Sequence, residues 1–138
     1  MATVSHVKIT ATHEPSPDIG ASPYWYIEVA YNANFTRQEV VHKTKFHQCF
    51  LLKEQDPGPD EKLAGGDCVD GSDFHAVHTT MHRTMHASLP DSLLTADPDG
   101  NDPAGVEELY AVVHLRNVVA PGHPLVEGSS PILEVHAG

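Results

Sequence analysis

The chain has 138 residues and a mass of 15.0 kDa, with 8 Lys and Arg against 19 Asp and Glu, a formal charge of −11 at pH 7. Hydrophobic residues make up 40% and charged residues 20%, which supplies a core for a single domain over residues 1–138 and excludes intrinsic disorder. With so few cations, neither nucleic acid nor an anionic membrane surface is an expected partner.

The segment from Met1 to His6 is followed by polar residues and not by the apolar run of a signal peptide. No stretch approaches the ~20 apolar residues of a membrane-spanning helix. A soluble, cytoplasmic protein is the expectation. Val4 to Thr10 reads as a first short strand. The clearest period of two follows, with Trp25, Ile27, Val29 and Tyr31 alternating against Tyr24, Tyr26, Glu28 and Ala30. Asn34-Phe35-Thr36 matches a glycosylation sequon, which has little force without a secretion signal. Lys45 to Lys53 reads as another strand.

An acidic loop is expected from Gln55 to Asp73, where Asp, Pro, Gly and Ser supply turn chemistry. Cys49 and Cys68 flank or enter it. A cytosolic address would keep them as two buried thiols, and their spacing leaves pairing open.

Histidine is the conspicuous residue, with 11 in the chain, enough to bring the net charge to about zero if all were protonated. The densest run places His75, His78, His82 and His86 between Phe74 and the following Ala87. On a helix His78, His82 and His86 would share one face and neighbouring pairs could chelate an ion. On a strand each step of four residues spans roughly 13 Å, so no two could share one. The threonines and the surrounding pattern favour the strand. Ligands would then come from neighbouring strands, the candidates being His114, His136 with Glu134, His6, and His47 with Cys49. Imidazole donors suit Zn, Cu or Ni.

Asp91 to Ala96 offers the one possible helical turn, and a second acidic loop runs from Thr95 to Glu107. Residues 97 to 108 resemble the EF-hand calcium loop, with Asp97, Asp99 and Asn101 at the first, third and fifth positions and Glu108 at the twelfth. Asp102 stands where that loop has glycine, and a strand-like sequence follows Glu108. Calcium is thus the lesser metal candidate, with Asp67, Asp70 and Asp73 as further carboxylates. Leu109 to Arg116 is apolar on both faces, as in a central strand, and Ile132 to His136 reads as a last strand.

Short strands joined by turn-rich loops predict an all-β fold, an antiparallel β-sandwich of immunoglobulin-like general pattern with long acidic loops. No Gly-x-Ser-x-Gly elbow, phosphate-binding glycine loop or His-Glu-x-x-His helix occurs, and two residues separate His75 from His78 where a copper-zinc superoxide dismutase has His-x-His. The expected function is a binding or accessory module with a histidine-rich face able to hold Zn, Cu or Ni. One alternative is a small metalloenzyme, a hydrolase or lyase, using the same histidines with Glu134 or an acidic-loop carboxylate as general base. Another is a metal-free module that binds a protein partner or a second copy of itself, through a patch including Tyr24 and Tyr26.

Overall fold

The computed structural model describes residues 1–14, 24–54, 61–62, 68–90, 106–120 and 122–136. Among the described residues nine strands and one short helix follow in the order β1 (Thr3–Glu14), β2 (Tyr24–Asn34), α1 (Arg37–Val41), β3 (Lys45–Glu54), β4 (Glu61–Lys62), β5 (Val69–His75), β6 (Thr80–Pro90), β7 (Val106–Asn117), β8 (Val126–Ser129) and β9 (Leu133–His136). They form two antiparallel sheets. One has the order β1-β2-β6; the other is built on β3 and β7, with β4 and β5 sharing the outer edge of β3 and β8 and β9 sharing that of β7.

The alternation in β2 is a packing code. Trp25, Ile27, Val29, Tyr31 and Ala33 are buried, while the residues between them are partly exposed. From the facing sheet Phe46, Phe50 and Leu52 of β3 and Leu109, Ala111, Val113 and Leu115 of β7 join the same core. Both flanks of β7 are paired, so it is a central strand of its sheet, as its sequence predicts. Gly128 in β8 is required by close approach, since a Cβ there would lie 2.6 Å from Val4 Cγ1.

The structure adds elements that the sequence reading lacked. Helix α1 starts at a capping box, in which Thr36 Oγ1 accepts from the Glu39 amide and the Glu39 carboxylate accepts from the Thr36 amide. It ends with Lys43 at φ 49°, and the Lys43 and Thr44 amides donate to Val40 and Glu39 carbonyls. The hydroxyl of the sequon is thus a helix cap, and the Asn34 side-chain amide donates to Ser5 Oγ.

Within the expected 55–73 loop, residues 61–62 and 69–73 are strand, and residues 55–60 and 63–67 lie outside the described residues. Residues 69–73 belong to β5, paired with β3, because a β-bulge absorbs the Asp-Gly pair: Gln48 faces Ser72 and Phe50 faces Val69, with Asp70 at φ 53°. The expectation of two free thiols is also corrected. Cys49 and Cys68 form a disulfide, since pairing β5 against β3 brings their Cα atoms to 5.5 Å, within disulfide reach. Residues 91–96 and the strand-flanking part of the second acidic loop, 95–105, lie outside the described residues.

Candidate functional site

The strand geometry of β6 decides what its histidines can do. Met85 and Leu89 are buried, whereas His82 and His86 point to solvent on the outer face of the first sheet. Their Cα partners on β2 are Asn32 and Glu28. His82 Nδ1 lies 3.1 Å from Asn32 Oδ1; His86 Nδ1 bonds to the Tyr26 hydroxyl and lies 3.9 Å from Glu28 Oε2. Extended backbone sets these two histidines roughly 13 Å apart, beyond the span of one ion. His75 ends β5, and exposed His78 sits in the turn between β5 and β6.

The strand partners named from the sequence fall elsewhere. β6 pairs only with β2 among the described strands, whereas His47, His114, Glu134 and His136 all belong to the β3–β7 sheet. Exposed Glu134 faces Glu108 across β7 and β9. Glu108 lies in a strand where an EF-hand has its exit helix, and Asp97, Asp99 and Asn101 lie outside the described residues. His6 occupies a bulge in β1 at φ 53°.

What the fold does assemble lies on the outer face of β3 and β7. The register sets Cys49 opposite His114 and His47 opposite Arg116, so four chemically active side chains share two adjacent central strands. Cys68 reaches the same face from the start of β5. With Leu51 and Leu125 these residues line a surface pocket of about 410 Å³. Its lining combines the disulfide and two leucines with the polar side chains of His47, His114 and Arg116. Cys49 is only 7% exposed although it faces outward, because the disulfide and its partner segment cover it.

Each histidine of the pocket is held by a carboxylate. His47 Nδ1 bonds to Asp73 Oδ1, and Lys45 Nζ lies 3.5 Å from the other Asp73 oxygen. A Cβ on Gly71 would come within 3.0 Å of His47 Nε2, so the glycine of the bulge also leaves room for that ring. His114 Nε2 lies 3.2 Å from Glu127 Oε1, and its Nδ1 faces Cys68 Sγ at 3.9 Å. Arg116 has no ion pair among the described residues, in a chain with 19 acidic groups. Cys49, Cys68 and His114 are the one group of three potential metal-donor side chains, among the described residues, whose ligand atoms lie within 4.8 Å of one another.

The hydrogen bond from His47, then the nearby charges of His47 and Lys45, hold the Asp73 carboxyl below its ordinary range. A depressed carboxyl contributes stability that is present above its unfolded value of ~3.9 and is lost as pH falls through the lower folded value. Acid titration of the urea midpoint is therefore expected to show a loss below about pH 4 that Asp73→Asn no longer shows. Equal acid dependence in both proteins would remove Asp73 from the pocket's supporting structure.

No signal of spacing marks this site in the sequence. Cys49 and Cys68 are 19 residues apart and His114 is far along the chain; only strand register joins them. No protein-family model matches the chain, and no curated protein does. Among solved structures it is similar to the X-ray structure of Northeast Structural Genomics Consortium target SoR45, with 6% sequence identity over 96% of this chain and 86% of that one and a TM-score of 0.41.

Proposed function

We propose that the protein is a binding module whose ligand seat is the pocket on the outer face of β3 and β7. The carrying observation is a pocket lining that sets Leu51, Leu125 and the cysteines beside Arg116, a cation that has no ion-pair partner among the described residues. Small-molecule sites are concave, mostly apolar and fitted with a few polar groups that set orientation. A ligand suited to this seat has an apolar body lying on Leu51, Leu125 and the disulfide and a carboxylate-like head reaching Arg116.

The strand order supports the finer fold reading of an immunoglobulin-like sandwich. The first, second and sixth strands stand opposite a sheet led by the third, seventh and eighth, as A, B and E stand opposite C, F and G in that fold. That likeness says nothing of function by itself. The charge of −11 supports a partner other than nucleic acid or an anionic membrane, and a protein partner or second copy fits the same reading. Among the described residues no helix is long and apolar enough to cross a membrane. A cytoplasmic address belongs to the proposal; reduced there, Cys49 and Cys68 still line the same pocket as small apolar side chains, so the seat does not depend on the bond between them.

The test is amide chemical-shift mapping of the oxidised protein with octanoate and with octanol. Octanoate is expected to move residues 47–51 and 114–116, and Arg116→Ala to weaken it about tenfold or more while octanol binding stays unchanged. Shifts elsewhere on the surface, or equal loss of both ligands, would refute this seat.

A further inference from the structure

We infer that Cys49, Cys68 and His114 form a redox-gated transition-metal site, shut while the two sulfurs are bonded to each other and available to zinc once they are reduced. This goes beyond the anion seat and does not rest on it, since that seat draws on Leu51, Leu125 and Arg116 and is tested on the oxidised protein.

The donor set is the first observation. Two thiolates and one imidazole are soft and borderline ligands of the kind that hold zinc, with a fourth position left to water. Tetrahedral zinc, with Zn–S of about 2.3 Å and Zn–N of about 2.0–2.1 Å, puts sulfur and nitrogen ligands about 3.5 Å apart. Cys68 Sγ and His114 Nδ1 are already 3.9 Å apart, and all three ligand atoms lie within 4.8 Å of one another.

The second observation is the orientation of the imidazole. His114 Nε2 lies 3.2 Å from Glu127 Oε1, and a ring proton on that nitrogen would leave the Nδ1 lone pair on the side of Cys68 Sγ. Histidines that bind metals usually donate their other nitrogen to a carboxylate or carbonyl in this way, which fixes the tautomer and raises the basicity of the ligand. Here that support is built before any ion is bound.

The third is mechanical. Cys49 and His114 are Cα partners on the two central strands, so their separation is set by a ladder paired on both sides. Cys68 immediately precedes β5 at the sheet edge, where a side-chain rotation can part the sulfurs without breaking the β3–β7 ladder. The pocket gives solvent access to the pair, which thiol exchange requires.

The chemistry balances with a dithiol as reductant. Its thiolate attacks one sulfur of the Cys49–Cys68 bond, a mixed disulfide forms, and its second thiol displaces the remaining cysteine. The protein gains two electrons and two protons, and the reductant becomes a disulfide. Zinc then replaces the two thiol protons, which go to solvent. A reducing compartment thus yields the metal-binding state, and an oxidising one the closed disulfide.

The test uses the untagged full chain, oxidised or reduced with a phosphine that is then removed under nitrogen, and Co²⁺ as the probe. Reduced protein is expected to bind one Co²⁺ per chain with a thiolate-to-cobalt charge-transfer band, displaced by Zn²⁺. Oxidised protein is expected to bind at least about 100-fold more weakly and without that band. Glu127→Gln is expected to lower the affinity of the reduced protein about tenfold with its circular dichroism unchanged. If reduction alone loosens the fold, Zn²⁺ is expected to restore the circular dichroism of the oxidised protein. Equal binding in both redox states, absence of the charge-transfer band, unchanged affinity in Glu127→Gln, or a loosened fold that Zn²⁺ does not restore would each overturn the assignment. Octanoate binding by the oxidised protein is scored separately, so failure of one reading leaves the other standing.

Discussion

Phe50→Ala is expected to destabilise the fold by about 3–5 kcal/mol, the range for truncating a fully buried aromatic side chain. Phe50 has no exposed surface and projects from β3 into the core that both sheets share. Truncation removes its contacts and leaves a cavity that the stiff β2 and β7 ladders cannot collapse around. The melting temperature should fall on the order of 10–20 °C for a chain of this size. Val119, 69% exposed, provides the control, with less than about 0.5 kcal/mol expected for Val119→Ala. A loss below about 1 kcal/mol in Phe50→Ala, measured by urea unfolding, would mean that the two sheets do not share one core.

The second large effect is expected at Gln48, a polar residue only 3% exposed. The Tyr31 hydroxyl of β2 donates to Gln48 Oε1, Arg83 Nε of β6 donates to the same oxygen at 3.3 Å, and Gln48 Nε2 donates to Ser72 Oγ of β5 at 3.0 Å. Arg83 also lies over the Phe74 ring, 4.0 Å from its centre. The amide therefore ties both sheets together, and Gln48→Ala leaves a buried hydroxyl without its acceptor, at about 2–4 kcal/mol. Gln48→Leu with Tyr31→Phe removes donor and acceptor together and should cost less than the two single changes added. Strict additivity in that cycle would break the proposed link. Burial, outweighing the nearby Arg83, holds the Tyr31 hydroxyl well above its ordinary value of 10.0. Its neutral form is thus favoured by folding, and stability should fall as pH rises above about 10.

The legible and illegible parts of the chain divide by the range of the interactions involved. The alternation of β2 and the two-faced apolarity of β7 are visible because each residue's burial follows from a period of two along its own strand. Thr36-Arg37-Gln38-Glu39 carried a capping-box signal for α1, but five helical residues leave no periodicity to reinforce it. Strand β5 was obscured because Asp70 and Gly71 have turn chemistry, and a bulge uses that chemistry inside a ladder. The histidine run is dense in sequence, yet β6 spreads His82 and His86 along an outer face.

By itself the sequence determined the all-β class, the inward residues of the long strands and the acidic balance, while for the segment carrying His82 and His86 it favoured a strand and left the helix open. These follow from local side-chain pattern and from summed charge, which need no knowledge of what pairs with what. Tertiary structure alone decided that Cys49 meets Cys68 and His114, that His47 stands beside Arg116, and that Asp73 and Glu127 lie against the two rings. Those neighbours are joined by strand register within one sheet, and register is a property of the folded sheet, fixed when one face of every strand is buried at once.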